Sequence, residues 1–197
     1  MYVAADGTKY VSDYKANAID IFAPGANGNA APSRRIFGSA TSLNGPSGMW
    51  VDAAGRIYVV NENAGTVAIF AATASGNAAP ARTIGGSNAG FVGPVTPTVD
   101  GHGNLWVSDA SAAAIDEFAA GAFGNVAPIA TIEGAATTLI FPVGLRVDGL
   151  GYVYVADSTA QPAIDVFAPG ARGNVMPAHR IMGSNAQLAG VGALAIR

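Results

Sequence analysis

Apolar residues along this chain come in short alternating runs, and the runs return at a fixed spacing. Val51, Val99 and Val147 are each 48 residues apart, and each closes an apolar stretch that leads into an Asp and then a Gly. Val3 closes a shortened stretch of the same kind at the start of the chain, and Ile196 another at its end. After the Gly comes a β-branched and aromatic run: Tyr10-Val11, Ile57-Tyr58-Val59-Val60, Leu105-Trp106-Val107 and Val153-Tyr154-Val155. Such residues fit a pleated, half-buried surface, so two strands, a and b, are predicted around a tight turn. In that turn Asp52, Asp100 and Asp148 can hydrogen-bond their own backbone, and Gly55, Gly103 and Gly151 can take the positive φ that closes it.

A polar loop then leads to strand c, marked by Ile19 and Phe22, Val67 and Phe70, Ile115 and Phe118, Ile164 and Phe167. A second turn recurs as Gly28-Asn29, Gly76-Asn77, Gly124-Asn125 and Gly173-Asn174, with a proline three residues beyond each Asn. Strand d follows, ending at Ile36, Ile84, Ile132 and Ile181, and its prolines and cations suit an outer edge strand. Residues 110–122 have helical propensity, but the equivalent slot in the second repeat holds Gly65 and β-branched residues. Stacked repeats need one conformation per slot, so a strand is predicted there too. Four copies of a four-stranded unit with a period in the forties predict an all-β fold, a β-propeller of four blades.

Composition agrees with this reading. Half of the residues are apolar, only 12% are charged, and Gly and Pro number 26 and 11, a balance that suits many short strands and turns. The net charge of −3 and the lack of any Lys/Arg run argue against nucleic acid or an anionic membrane surface as a partner. No apolar stretch is long enough to span a bilayer as a helix. The absence of cysteine removes disulfides, thiolate metal sites and cysteine nucleophiles together. Residue 1 already lies inside a repeat, which leaves any targeting segment upstream of it.

The stretch from Pro142 through Gly144, Val147, Asp148, Gly151, Tyr154 and Val155 to Asp157 resembles the blade motif of the NHL-repeat propellers, and the resemblance extends over essentially the whole chain. It implies the propeller fold. For function it implies a range, from protein-binding modules and surface proteins to the lactonases and lyases of related propellers.

Repeats supply their own control, since a residue present in every copy serves the blade whereas a divergent slot is open to a ligand. By that rule Asp13, Asn61, Asp109 and Asp157, which end strand b, are structural, as are the turn residues Asp52, Asp100 and Asp148. The most divergent slot is the one before the strand-a valine: Tyr2, Trp50, Thr98, Arg146 and Ala195. Trp50 and Arg146 there are the ligand-binding candidates near the propeller axis, able to stack on or ion-pair with a ligand. Neutral hydrogen-bonding loops carrying Ser39, Thr41, Asn44, Ser87, Asn88, Thr137, Thr138, Ser184, Asn185 and Gln187 are expected around them, suited to a small carbohydrate or a peptide. Glu62 is a further candidate, because it is a loop carboxylate with no counterpart in the other repeats. The resemblance to related propellers implies that, with Asn61 and Asp109, it could imitate the Glu, Asn and Asp metal set that gluconolactonase-like propellers draw from different blades. His102 and His179 fall on a turn and an outer strand, apart from each other, and no catalytic residue or cofactor is assigned.

The expected function is therefore non-enzymatic, a binding or structural module of an extracellular or periplasmic surface protein. A metal-dependent lactonase or lyase is the alternative. The expected organisation is one domain over residues 1–197, with blades at about 1–44, 45–92, 93–141 and 142–187. The surplus strand a at 188–197 is expected to pair with strand b of the first blade and close the ring, within a monomer or between copies.

Overall fold

A computed structural model describes residues 1–195. Sixteen strands form four antiparallel meanders. The first blade is β1 (Tyr2–Val3), β2 (Lys9–Asp13), β3 (Ala18–Phe22) and β4 (Arg34–Phe37); the second is β5 (Pro46–Val51), β6 (Ile57–Asn61), β7 (Thr66–Phe70) and β8 (Arg82–Gly85). The third is β9 (Pro94–Val99), β10 (Leu105–Asp109), β11 (Ala114–Phe118) and β12 (Ala130–Ile132); the fourth is β13 (Pro142–Val147), β14 (Val153–Asp157), β15 (Ala163–Phe167) and β16 (His179–Ile181). Strand order follows chain order in every sheet, so each blade is made of sequence neighbours. β11 forms despite its helical propensity because both of its neighbours, β10 and β12, hydrogen-bond to it along the ladder.

The a-to-b turns are built as their residues dictate. Asp52 Oδ1 accepts the N–H groups of Ala54 and Arg56 at 2.9 Å each, and Gly55 sits at φ 76°. Asp100 and Asp148 repeat the arrangement. The second oxygen of each Asp has a further task, accepting the polar tip of the strand-b aromatic: Tyr58 at 3.2 Å, Trp106 at 3.0 Å and Tyr154 at 3.0 Å. A buried or half-buried aromatic with a hydrogen-bonding end is satisfied this way, which accounts for its recurrence.

The core is divided among the blade junctions. Ile19, Ile36, Ile57, Val59 and Phe70 pack between the first and second blades, Val60, Val67, Ile84, Leu105 and Phe118 between the second and third, and Ile115, Ile132, Leu145, Val155 and Phe167 between the third and fourth. Inner strands approach so closely that a Cβ on Gly48 would strike the Val95 carbonyl of the next blade, and one on Gly144 would strike the Gly192 carbonyl.

That last contact corrects the expected closure. The inner strand of the first blade is β1, paired as Tyr2 with Tyr10 and Val3 with Lys9. Residues 188–195 instead run on past the fourth blade, with Gly192 against Gly144 as Val95 lies against Gly48. Leu194 and Ala195 belong to no strand, and Ile196 lies outside the described residues. The physical reason is adjacency, because a chain leaving the fourth blade meets that blade's own inner strand first. The four blades therefore form an arc. Consecutive blades are bridged through Ile36 and Gly76, Ile84 and Gly124, and Ile132 and Gly173, but among the described residues Ile181 makes no such bridge to Gly28.

Candidate functional site

The divergent slot converges as its register requires. Trp50 pairs with Tyr58, Thr98 with Trp106 and Arg146 with Tyr154, so all three stand on inner strands one step from the a-to-b turns. The guanidinium of Arg146, from the fourth blade, lies 4.9 Å from the ring centre of Trp50, from the second. Tyr2, from the first blade, packs edge-on to Trp50 with centroids 5.3 Å apart. Three blades thus bring one slot together at the axis.

The electrostatics of this group are unusual for a protein with few charges. Arg146 is half-buried, and its Nη1 donates to the carbonyl of Leu145 at 2.6 Å. Among the described residues no carboxylate pairs with it. Desolvation pulls its pKa below the ordinary arginine value, while the nearby Tyr2 acts in the opposite sense. Burial likewise raises the Tyr2 phenol above its usual value. Thr98, fully buried in the same slot, has a hydroxyl with no hydrogen-bond partner. Beside the group, a cleft of about 660 Å³ opens between the turns, lined by Tyr2, Asp6, Tyr10, Trp50, Asp52 and Asp100.

Glu62 is not part of this assembly. It opens a short 3-10 turn directly after β6, where Pro46 pairs with Asn61, at the opposite end of the blade from Trp50. The neutral loops share the Glu62 end, as the bonds from Asn63 to Asn44 and from Tyr14 to Asn63 show. Trp50 and Arg146 are therefore framed by the a-to-b turns, contrary to the expected surround. Strand a is short, but its two ends lie on opposite faces of the arc. Thr41 and Thr137 are in addition buried, each donating to the carbonyl that precedes its own 3-10 turn, Gly38 or Gly134, at 2.7 Å.

The shared Asp residues hold backbone. Asp109 accepts the N–H groups of Val92 and Gly93 at 2.7 Å each, and Asp157 those of Ile140 and Phe141 at 3.1 and 2.6 Å. Each ties the segment arriving from the previous blade to strand b. Asn61 does the same for Asn44, and its amide nitrogen donates to Ser42 and Thr66, which a carboxylate could not do. Asp13 accepts only the Ala16 N–H. Asn61 and Asp109 are thus occupied with backbone and Glu62 is exposed, and among the described residues no three His, Cys, Asp or Glu side chains gather to hold a metal ion. His102 is exposed in its turn and His179 on β16, as their positions led one to expect.

Two features escaped the sequence. Glu117 is partly buried and accepts a hydrogen bond from Asn104 at 2.8 Å, and burial raises its pKa. The Arg146–Trp50 contact joins residues 96 positions apart on non-adjacent blades, and the only signal for it was the divergence of the slot.

No family model matches the chain, and a search among curated proteins finds no match. Solved structures do match in fold. An inactive virginiamycin B lyase from Staphylococcus aureus with quinupristin superposes with a TM-score of 0.60 at 15% identity, over 86% of this chain and 55% of that one. A protein of unknown function from Bacteroides caccae gives 0.65 at 12% identity, over 97% and 68%, and a candidate 6-phosphogluconolactonase from Bacteroides uniformis gives 0.55 at 14%, over 92% and 54%. At these identities the likeness shows the propeller fold. The chain spans about half the length of the lyase structures it matches.

Proposed function

We propose that this protein is a non-enzymatic, NHL-like propeller module of a surface or extracellular protein, which binds a small carbohydrate at the axial cleft beside Trp50. The observation that carries the proposal is the Arg146 guanidinium stacked on Trp50 without a carboxylate partner. A sugar offers an apolar ring face and hydroxyls that both donate and accept. Trp50 and Tyr2 supply the aromatic surface, Arg146 the donors, and Asp6 and Asp100 at the cleft the acceptors.

The test uses the two tryptophans, Trp50 and Trp106, as reporters. Neutral and uronic-acid oligosaccharides are titrated while emission is followed, with peptides of matched size as the contrasting arm. Binding of a sugar that Trp50→Ala and Arg146→Ala each weaken at least tenfold supports the reading. Binding restricted to peptides, or binding that neither change alters, overturns it.

The names of two fold neighbours motivate the enzymatic alternative, a lyase or lactonase acting through a metal. Metal analysis of purified protein separates the readings, since one divalent ion per chain retained through dialysis would favour the enzyme.

A further inference from the structure

The junctions between blades are not filled alike, and the difference lies in one cross-strand pair. Where strand c meets the outer strand, Ile21 pairs with Arg34, Ile69 with Arg82 and Glu117 with Ala130. In the first two blades the arginine reaches across to the following blade. Arg34 Nη1 donates to the Ala72 carbonyl, and Arg82 Nη1 stands 3.3 Å from where a Cβ on Gly121 would lie. Between the second and third blades, Tyr58, Ile69, Arg82, Gly103 and Gly121 leave a void of only about 10 Å³. The equivalent residues between the third and fourth blades, Trp106, Glu117, Ala130, Gly151 and Gly170, line an open cleft of about 230 Å³. The third blade thus lacks the guanidinium and carries a carboxylate instead.

That carboxylate is fixed in place. Asn104 Nδ2 donates to Glu117 Oε1 at 2.8 Å while Asn104 Oδ1 accepts the Ala120 N–H at 3.0 Å, so both ends of the amide are engaged. Among the described residues no cation forms an ion pair with Glu117. Burial raises its pKa, and the Asn104 bond, Arg172 and His102 oppose that rise without cancelling it. Asp100 and Asp148 line the same cleft, so its carboxylates outnumber its one arginine, the exposed Arg172. Trp106, tied to Asp100 at 3.0 Å, and Val147 supply apolar walls. A half-buried carboxylate without a cation is unfavourable, and an arriving cation offsets the cost.

We propose that this cleft binds a guanidinium group on a short aliphatic stem, in the place that Arg34 and Arg82 take at the other two junctions. The guanidinium donates to the free oxygen of Glu117 and to the carbonyl of Pro169, which lines the cleft and is the residue equivalent to Ala72. Its stem lies against Trp106 and Val147. A planar guanidinium suits these two acceptors better than an ammonium, because its donors are set in a fixed fork. The site lies at a blade junction, and the inference does not rest on the function proposed for the axial cleft.

Isothermal titration calorimetry of the whole chain with ethylguanidinium tests this, with neutral ethylurea as the isosteric control. Binding in the millimolar range is expected for so small a cation, and none for ethylurea. Glu117→Gln, which keeps an acceptor for Asn104, is expected to weaken binding roughly tenfold or more through loss of a charge-assisted pair. Ala130→Arg restores the pattern of the first two blades. It is expected to abolish binding and raise the melting temperature, because the protein then supplies its own cation. Glu62→Gln, at an exposed carboxylate on the opposite end of a blade, should change neither. Free L-arginine and a terminally blocked peptide with one internal Arg are titrated alongside, and the tighter of the two identifies the source of the guanidinium. Circular dichroism checks that every variant is folded. Failure of all three guanidinium compounds to bind, equal binding of ethylurea, or an affinity that survives Glu117→Gln would overturn the proposal. Sugar binding at the axis is scored independently, since Glu117→Gln leaves Trp50 and Arg146 in place.

Discussion

Thr131 donates its hydroxyl to the carboxyl of Asp116 at 2.8 Å, at the position where the first and fourth blades set Arg35 opposite Asp20 and Arg180 opposite Asp165. Burial outweighs either partner, since Asp165 is pushed up to about 6 in spite of Arg180. Asp116 is 6% exposed, and desolvation pushes its pKa up to about 6 from 3.8, with the Thr131 bond opposing the shift.

The consequence for stability has a definite sign. A carboxyl whose folded pKa is raised binds its proton more tightly when folded, so its favourable contribution is complete below about 3.8 and is lost as pH rises through about 6. Asp116→Asn, which keeps an acceptor for Thr131, is expected to be more stable than the wild type at pH 7 by on the order of 1–2 kcal/mol. Urea unfolding of both proteins at several pH values should show the gap closing toward pH 4. A constant gap would mean that Asp116 is not the titrating group.

Replacing Asp109 by Ala strands two backbone N–H groups, those of Val92 and Gly93. A loss of roughly 1–3 kcal/mol is expected, as for unsatisfied buried donors. Asp13→Ala removes only the Ala16 contact and should cost under about 1 kcal/mol. Equal losses at the two sites would contradict the assignment of Asp109 to the arriving segment.

Gly48 and Gly144 make the same kind of close approach to different neighbours. A methyl group on Gly48 meets the backbone of β9, an integral inner strand, and on Gly144 it meets Gly192 in the terminal segment. Gly48→Ala is expected to destabilise the fold by about 1–3 kcal/mol or more through overpacking. Gly144→Ala also crowds the Ala156 side chain of β14, 2.9 Å from the new Cβ, and should displace residues 188–195, with the largest rise in amide exchange in that segment. Thermal unfolding and hydrogen exchange check both expectations.

The contact between Arg146 and Trp50 is measurable without a ligand. A double-mutant cycle with Arg146→Ala and Trp50→Ala should give a coupling of about 0.5–2 kcal/mol, the range for a partly desolvated cation over an indole ring. A coupling near zero would show that the two side chains only share space.

The blade was legible in the sequence because a meander pairs neighbours in the chain. Asp52, Gly55 and the run from Ile57 to Val60 specify a hairpin through local backbone chemistry and alternation alone, and β5 and β6 form as those residues direct. The same holds for β11, where the repeat outweighed propensity. The roles of Asp109 and Asp157 were legible as well, since their recurrence marked them as part of the blade. What the sequence left undecided were relations between equivalent pieces. Met1-Tyr2-Val3 and Leu194-Ala195-Ile196 present the same pattern to strand b of the first blade, and periodicity cannot rank identical patterns. Only the three-dimensional path of residues 188–195, held by Gly192 against Gly144, places the later copy beyond the fourth blade and leaves Tyr2 on Tyr10. The distance from Arg146 to Trp50 depends on how far each blade turns about the axis, a sum of packing angles over three blades that no local pattern encodes, and so the tertiary structure alone brought that cation to that ring.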